Sequence, residues 1–359
     1  MKEVTFPTPK LLTGRNLSLL LFFSLIGIII SFQYLRHKEI LDLLLPWSVS
    51  LLAVIASGTI VVPWLRQLKA GQVIREDGPQ SHLQKAGTPT MGGIFVVPSS
   101  LLVAVLWTKF DPNVVAAALL TLAFGFVGWL DDWLILRYKS NKGISAPLKL
   151  FLLGVASIGF SAWAGFQGLV TTVSLPWGFS LSLGLLFWLL ALFVLLGASN
   201  ATNLTDGLDG LAGGTGAIAS LGLGLLLYDQ YPQLSIFCLC VSGAYLGFLW
   251  HNHNPAKVFM GDTGSLALGG ALAAAGILGG QLWGLLILSL LFVWESLSTI
   301  LQVGYYKLTK NEEGIGKRLF KMAPFHHHLE LSGWTELQVV GSFYTIGLVL
   351  LGLSLLVKT

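Results

Sequence analysis

The segment Asn16–Tyr34, NLSLLLFFSLIGIIISFQY, contains no charged residue, and it decides the fold class. A second segment, Gly178–Gly197, reads GFSLSLGLLFWLLALFVLLG and is also free of charge. A helix rises about 1.5 Å per residue, so each segment is long enough to cross the roughly 30 Å of hydrocarbon in a bilayer. We therefore expect both segments to be transmembrane helices.

The composition of the whole chain agrees with a lipid environment. Of the 359 residues, 54% are hydrophobic and only 11% are charged, whereas a soluble domain has about 25% charged residues. The formal net charge of +4 is spread over short loops, so we expect no nucleic-acid partner. These features predict an all-α polytopic membrane protein of about ten to eleven transmembrane helices, embedded in the lipid bilayer.

The alternation of apolar runs and polar connections predicts eleven spans. They cover roughly residues 17–34, 46–65, 91–108, 113–130, 148–168, 181–199, 211–228, 234–250, 265–279, 281–305 and 337–357. Gly279-Gly280 separates the ninth span from the tenth and predicts a tight turn. The first apolar run could instead be a signal peptide, but no small-residue cleavage site follows it, which favours an uncleaved helix.

Lysine and arginine are unequally divided between the two sides that these spans define. The connections on the side of the N-terminus carry 17 of these residues, and the connections on the other side carry 4. Cytoplasmic loops are enriched in Lys and Arg, so we expect the first set to face the cytoplasm. The acidic, amide and histidine motifs all fall in that set, which predicts a cytoplasmic active site.

The first polar motif is Asp131-Asp132, which directly follows an apolar run and so marks a predicted helix end. Adjacent residues of a helix do not share a face, so one carboxylate can point into a cavity while the other faces a neighbouring loop. A proton or a magnesium ion would relieve the repulsion between them. The alternative is a solvated acid pair without function.

The second motif is Asn203-Leu-Thr-Asp206-Gly-Leu-Asp209. Its three polar residues recur every third position, so in a helical turn they would lie roughly on one side. The alternative is that Asn203 caps the following helix and the glycines serve close packing. Two carboxylates and an amide at the mouth of a membrane span favour the functional interpretation.

The third motif surrounds Asp262, which stands between two glycines and opens the next apolar run. A helix N-terminus at this position would suit a phosphate, and the carboxylate would suit Mg²⁺ together with substrate phosphates. The alternative is that Asp262 merely caps its own helix.

The fourth motif is the histidine run His326-His327-His328 after Pro324. Consecutive side chains of a regular helix cannot all bind one metal ion, but histidines can donate hydrogen bonds to phosphate oxygens. The alternative is a solvated polar loop. Glu295, inside the tenth span, is a further candidate because acids within a membrane are usually functional, although it could simply bond to a Ser or Thr of a neighbouring helix.

These groups together favour phosphoryl transfer to an acceptor that stays in the membrane. Acids for a metal ion, a helix end for phosphate and histidines for further anion contacts supply positioning and charge neutralisation, which this reaction chiefly needs. A secondary transporter is the main alternative class. It predicts inverted repeats and polar groups near the middle of the membrane, and neither pattern is visible in the sequence.

Five segments also resemble, in order, the phospho-N-acetylmuramoyl-pentapeptide-transferases, a family of the polyprenyl-phosphate N-acetylhexosamine-1-phosphate transferases. They are residues 75–93, Asp131-Asp132, Asn203–Asp209, Phe259–Leu268 (FMGDTGSLAL) and Met322–Glu330 (MAPFHHHLE). The similarity begins near residue 46. It divides the chain into an N-terminal extension, residues 1–45, with one extra transmembrane helix, and a membrane-embedded transferase domain, residues 46–359.

The resemblance implies a reaction, its substrates and its location. Phospho-MurNAc-pentapeptide would pass from UDP-MurNAc-pentapeptide to undecaprenyl phosphate, giving lipid I and UMP with Mg²⁺ as cofactor. The protein would lie in the bacterial cytoplasmic membrane and carry out the first membrane step of peptidoglycan synthesis. A relative that uses UDP-GlcNAc is the second interpretation, but the histidine motif with Glu330 resembles the muramoyl type. The sequence leaves the oligomeric state open, including a homodimer.

The resemblance also implies roles for individual residues. Asp262 matches the Mg²⁺ ligand, and Asp131, Asp132 and Asp262 match the catalytic acids. Matches to substrate-binding positions are Lys85, Thr90, Asn203, Asp206, Gly207, Asp209, Asn252, Phe259, Gln302, His326, His327 and His328. Both a direct attack and a phospho-aspartate intermediate are open. A phosphate monoester has its second pKa at about 6, so the lipid phosphate is largely ionised at neutral pH, which favours direct attack.

Overall fold

The computed structural model describes residues 13–37, 39, 41–68, 85, 87–138 and 143–357. Over these residues the protein is mainly helical, with one short hairpin as its strands, which confirms the predicted all-α class. The helices are α1 (Gly14–Leu35), α2 (Leu41–Gln67), α3 (Gly93–Trp107), α4 (Pro112–Tyr138), α5 (Ala146–Phe166), α6 (Leu186–Thr205), α7 (Leu211–Leu227), α8 (Pro232–Asn252), α9 (Gly261–Leu278), α10 (Leu282–Leu288), α11 (Leu290–Leu308), α12 (Phe325–Glu330) and α13 (Glu336–Leu356).

Each of the eleven predicted spans corresponds to a helix or a bent pair of helices in the described part of the chain. Eight helices are long and apolar enough to cross a membrane, and the pair α10 and α11, bent by 70°, would make a ninth. The other two, α3 and α7, have 15 and 17 residues. At 1.5 Å per residue they extend only about 22 and 25 Å. The protein is therefore a multi-pass membrane protein with two short helices among its spans.

A small hairpin stands where the sequence predicted the start of the sixth span. Strand β1 (Thr172–Ser174) pairs antiparallel with β2 (Ser180–Ser182). The intervening turn contains Trp177 at φ 61° and Gly178 at φ 77°, backbone conformations that end a regular helix. The apolar run therefore divides between the hairpin and α6, and the expectation of a continuous helix from Gly178 was wrong.

The turn predicted at Gly279-Gly280 is confirmed. Helix α9 ends at Leu278 and α10 begins at Leu282. Gly280 has φ 64°, a left-handed conformation that glycine adopts without a steric penalty.

The centre of the bundle is formed by α7, α8 and α9. In α8 and α9, 89% of the residues in an 18-residue apolar stretch are buried, compared with 22% in the peripheral α1. Helices α4 and α6 pack on α9, whereas α2 and α7 pack on α8. The N-terminal end of α9 therefore lies where several helices converge, and that end carries the polar residues of the third motif.

Candidate active site

A carboxylate from another helix caps the N-terminus of α9. Asp132 Oδ1 accepts a hydrogen bond from the backbone N–H of Asp262 (3.1 Å), and Oδ2 accepts from the N–H (3.0 Å) and hydroxyl (2.6 Å) of Thr263. An anion at this position satisfies free N–H groups and complements the helix dipole. The alternative that Asp262 caps its own helix is therefore wrong.

Two glycines allow this cap to approach. A Cβ atom added at Gly128 of α4 would lie 2.1 Å from the carbonyl oxygen of Asp262. A Cβ atom at Gly261, where φ is 73°, would lie 2.6 Å from Asp132 Oδ2. Both distances are far below van der Waals contact, so α4 and α9 meet this closely only because these positions lack side chains.

Asp131 points in a different direction from Asp132. Its Oδ1 accepts from the backbone N–H of Ile144 (2.6 Å), and its Oδ2 accepts from the ammonium of Lys149 (3.0 Å). The divergence expected of neighbouring helical residues is thus confirmed. Helix α4 continues to Tyr138, so the prediction that the acid pair marks a helix end was wrong.

Lys149, on α5, links two of the carboxylates. Its ammonium donates to Asp131 Oδ2 at 3.0 Å and to Asp262 Oδ2 at 2.5 Å. The other oxygen of Asp262 accepts from the Asn203 amide at 2.8 Å, and the same amide nitrogen lies 2.9 Å from the Ser265 hydroxyl. Asp131 and Asp262 therefore share one cationic group, and Asn203 bonds to Asp262 from the other side. We call Asp131, Lys149, Asn203 and Asp262 the acidic centre.

Asp206 directly follows Thr205, the last residue of α6, and lies beside the acidic centre. Burial raises its pKa well above the ordinary range, and the charges of Asp262, Asp132 and Asp209 raise it further. A backbone hydrogen bond from Gly261 opposes this rise. An acid in these surroundings gains stability from a proton or a cation.

A second cluster forms around Asp209, beyond the end of α6. Lys85 donates to Asp209 Oδ1 (2.8 Å) and to Glu336 Oε1 (2.6 Å). The side chain of Asn254 donates to Glu336 Oε2 (2.8 Å) and to Asp209 Oδ2 (3.2 Å). We call Lys85, Asp209, Asn254 and Glu336 the lysine cluster.

The end of α6 at Thr205 separates the two clusters. Asn203 faces the acidic centre, whereas Asp209 belongs to the lysine cluster. The expectation that Asn203, Asp206 and Asp209 share one side of a helical turn therefore fails for Asp209, because the chain leaves the helix before reaching it.

The three consecutive histidines have three different environments. His326 Nδ1 lies 2.8 Å from Glu295 Oε2, and both side chains are fully buried. His327 pairs with Glu330 at 2.8 Å. His328 accepts from the backbone N–H of Lys321 (3.1 Å) and packs beside two phenylalanines. Glu295 therefore bonds to a histidine, and within the described part of the chain its carboxylate does not bond to a Ser or Thr.

His326 directs its other ring nitrogen towards the second motif. Nε2 has no hydrogen-bond partner among the described residues, and a Cβ atom added at Gly207 would lie 2.2 Å from it. The glycine therefore allows His326 to approach the segment between the two clusters.

The other predicted substrate-binding residues lie on the segments that frame these clusters. Thr90 is buried, and its hydroxyl would be 3.0 Å from a Cβ atom at Gly261. The half-buried Phe259 pairs through its backbone N–H with Pro89 (2.8 Å). Residues 75–84 of the first resembling segment lie outside the described residues.

Asn252 and Gln302 hold loops in place. Asn252 accepts from the N–H of Gly210 (2.9 Å) and donates to the carbonyl of Val258 (2.9 Å). Gln302 accepts from two backbone N–H groups at 2.9 Å, those of Leu319 and Phe320. Both side chains thus bond to backbone groups in this structure.

The donor atoms of the acidic centre fit a magnesium ion. Among the described residues no three His, Cys, Asp or Glu side chains form a complete metal-binding group. Mg²⁺, however, is usually held by one or two carboxylates with water and substrate phosphates. Asp131 and Asp262 both bond to the Lys149 ammonium, so their carboxylates face a common point.

Three residues of these clusters, Lys149, Asn254 and Glu336, are not among the site residues predicted from the sequence. Lys149 entered the prediction only as one of the loop charges, although a lysine at the start of a span beside the acidic motifs is itself a signal. Glu336 begins the last helix, where an acid is expected simply to complement the helix dipole. Their roles emerge only from contacts across the fold.

The fold and these clusters define a membrane-embedded transferase, and comparison with known proteins agrees. Residues 114–280 match the family model described as glycosyl transferase family 4. Residues 85–97, which include Lys85, match phospho-N-acetylmuramoyl-pentapeptide-transferase signature 1.

The chain belongs to the phospho-N-acetylmuramoyl-pentapeptide-transferase family. It is 57% identical to the protein of that name from Microcystis aeruginosa, covering 97% of each chain. It is 56% identical to that of a Picosynechococcus species, covering 95% of each, and 53% identical to that of a Synechocystis species, covering 97% of each.

Proposed function

We propose that this protein transfers phospho-MurNAc-pentapeptide from UDP-MurNAc-pentapeptide to undecaprenyl phosphate, forming lipid I and releasing UMP. The name shared by its relatives supports this activity. The observation that carries the proposal is the acidic centre, where Lys149 bridges Asp131 and Asp262 at the N-terminus of a central membrane helix.

The proposed location is the bacterial cytoplasmic membrane, with the active site facing the cytoplasm. The excess of Lys and Arg on the N-terminal side of the spans supports this orientation. A nucleotide-linked donor is water-soluble and would enter from that side, whereas the lipid acceptor would remain in the bilayer. This division also explains why the two clusters lie at the ends of membrane helices.

The chemistry we propose relies on positioning and charge neutralisation. Lys149 would stabilise negative charge on the phosphate that is transferred, and Asp131 holds Lys149 in place through the 3.0 Å ion pair. Asp132 maintains the start of α9 by accepting three hydrogen bonds. The ionised lipid phosphate would attack directly, because it needs little activation near neutral pH.

Asp262 is the proposed Mg²⁺ ligand, with Asp131 and Asp206 as the nearby acids. A bound Mg²⁺ ion would neutralise charge on the donor phosphates. Asn203 keeps Asp262 oriented through its 2.8 Å hydrogen bond. Lys85 and Asp209 of the lysine cluster, together with Phe259, Gly207 and the histidine run, would bind the nucleoside and sugar parts of the donor.

The proposed division of the chain places α1 in an extension, residues 1–45, and the transferase in residues 46–359. Helix α1 packs against α2, α7, α8 and α13. A Cβ atom added at Gly14, its first residue, would lie 2.2 Å from the carbonyl oxygen of Asn254. The extension therefore touches the loop that contributes Asn254 to the lysine cluster.

The test measures UMP release by purified protein in detergent with Mg²⁺ and undecaprenyl phosphate. Parallel reactions contain UDP-MurNAc-pentapeptide or UDP-GlcNAc, and the Asp262→Asn variant is the blank. We expect UMP from the muramoyl donor alone, with loss in the variant. Release of UMP from UDP-GlcNAc instead would support the phosphoryl chemistry but refute the proposed identity of the donor. No UMP from either donor, with folded protein, would refute the proposal.

A further inference from the structure

Glu336 is the residue at which the parts of the lysine cluster meet. We propose that Glu336 is a positioning residue for binding of the nucleotide-linked donor, acting through Lys85 and the backbone at Asp209 without touching the substrate. The inference rests on the proposed function, since it concerns the same donor.

Both carboxylate oxygens of Glu336 are used within the protein. Oε1 accepts from the ammonium of Lys85 (2.6 Å) and from the backbone N–H of Asp209 (2.7 Å). Oε2 accepts from the side chain of Asn254 (2.8 Å). The side chain is 15% exposed. One carboxylate thus links three segments that are distant in sequence. It is largely buried and surrounded by the protein groups to which it bonds.

Glu336 is not required to cap its own helix. Thr335 Oγ1 accepts from the N–H of Gln338 (3.3 Å), and Gln338 Oε1 accepts from the N–H of Thr335 (2.9 Å). This reciprocal pair satisfies the N-terminus of α13. The carboxylate of Glu336 therefore serves contacts away from the helix.

Helix α13 also contacts the Asp209 segment at a second point. The hydroxyl of Tyr344 donates to the carbonyl oxygen of Gly210 at 2.7 Å, and both residues are buried. Glu336 and Tyr344 are two helical turns apart on α13, so the helix holds the Asp209–Gly210 turn at two places. A rigid helix with two contacts is a suitable support for a binding site.

The charge of the lysine cluster explains why Glu336 matters to Lys85. Burial lowers the pKa of Lys85, but the carboxylates of Glu336 and Asp209 raise it by more, so the pKa is raised overall. Lys85 stays protonated and is held between two acids. Without Glu336 the ammonium would lose one of its two acidic partners and its fixed position.

The test compares wild type with Glu336→Gln and Glu336→Asp. Gln removes the charge, and Asp keeps the charge on a shorter side chain. We expect Glu336→Gln to raise KM for UDP-MurNAc-pentapeptide about tenfold, with a smaller rise for Glu336→Asp. KM for undecaprenyl phosphate and the thermal midpoint should change little. The exposed acid Glu313 supplies the matched control, Glu313→Gln.

A double-mutant cycle with Lys85→Met tests whether Glu336 acts through Lys85. Residues that act through one another give non-additive effects, so the double variant should have nearly the same KM for the donor as Lys85→Met alone. Additive effects of the two substitutions on KM would show that Glu336 does not act through Lys85. Equal rises in KM for both substrates, or a large loss of thermal stability with no change in KM, would show that Glu336 is only structural.

Direct titration separates this inference from the proposed function. Binding of UDP-MurNAc-pentapeptide is measured by calorimetry in the absence of the lipid acceptor. Tight binding to wild type and about tenfold weaker binding to Glu336→Gln supports the inference even if no UMP is released in the activity assay. Equal binding to both proteins, or no binding to wild type, would overturn it.

Discussion

The cap that Asp132 places on α9 predicts different consequences for the two adjacent acids. In Asp132→Asn, one carbonyl oxygen remains as an acceptor, and the new amide group faces N–H donors that it cannot satisfy. Three hydrogen bonds of 2.6 to 3.1 Å converge on the wild-type carboxylate. In Asp131→Asn, the side-chain oxygen can still accept from Ile144, and Lys149 keeps its bond to Asp262.

The size of the effect follows from the bonds that are lost. A hydrogen bond to a charged group contributes about 1.5–3 kcal/mol, and an anion at a helix N-terminus contributes about 0.3–1 kcal/mol. Allowing for the acceptor that remains, we expect Asp132→Asn to lower the free energy of unfolding by roughly 2–4 kcal/mol. With an unfolding entropy of about 2.1 cal/mol/K per residue, this corresponds to a fall in Tm of about 3–5 °C.

The assay is thermal unfolding of the purified variants in one detergent, followed by intrinsic tryptophan fluorescence. We expect Asp132→Asn to unfold several degrees below wild type and Asp131→Asn to unfold close to wild type. Both variants should lose activity. In Asp131→Asn the loss follows because Lys149 is held less firmly, and in Asp132→Asn because the start of α9 is displaced. Equal Tm values for Asp132→Asn and Asp131→Asn would refute the assignment of Asp132 as the structural cap.

Three further predictions concern the metal, the pH dependence of stability and helix α1. Asp262→Asn should weaken Mg²⁺ binding, measured by calorimetry on the purified protein, at least about tenfold, because Mg²⁺ binds through few carboxylates. Asp206→Asn should raise Tm at pH 8, by an amount that shrinks as the pH falls towards 4. The raised pKa of Asp206 means that the folded wild type holds a proton that the unfolded chain releases, so wild-type stability falls as pH rises between the two pKa values. Gly14→Ala should lower Tm and raise KM for the donor, because its Cβ atom would meet the backbone of Asn254 at 2.2 Å, whereas Gly27→Ala has open space.

Each of these predictions has a result that contradicts it. An unchanged Mg²⁺ affinity in Asp262→Asn would show that this residue is not the metal ligand. A constant difference in Tm between pH 4 and pH 8 would mean that Asp206 has an ordinary pKa. Equal behaviour of Gly14→Ala and Gly27→Ala would show that α1 does not support the Asn254 loop.

The sequence predicts the membrane helices because a helix that spans the bilayer needs a long run of apolar residues, and few stretches of sequence contain one. Prediction from hydropathy fails where local backbone geometry or contacts between helices override it. The run from Gly178 is apolar enough for a helix, yet its first part forms β2. The acid pair at Asp131 is polar enough to end a span, yet α4 continues because both carboxylates find partners on other helices.

The candidate site is only partly visible in the sequence for a related reason. Its acidic residues stand out against apolar surroundings, so Asp262 and Asp206 could be selected by composition alone. Their partners are long-range: Lys85 and Glu336 are 251 positions apart, and Asp132 and Thr263 are 131 apart. Spacing within one segment carries no information on such pairs, which is why Glu336 and Lys149 emerged only from the fold.

Transfer of a labelled phospho-sugar into lipid directly tests whether the acidic centre carries the phosphoryl transfer. UDP-MurNAc-pentapeptide carrying ³²P in the phosphate next to the sugar is incubated with undecaprenyl phosphate, Mg²⁺ and the purified protein, and the label is followed into the organic phase. Wild type should form lipid-soluble label, and Lys149→Met, which removes the cation of the acidic centre, should form at least about a hundredfold less. Lipid-soluble label formed equally well by Lys149→Met would refute the proposed role of the acidic centre.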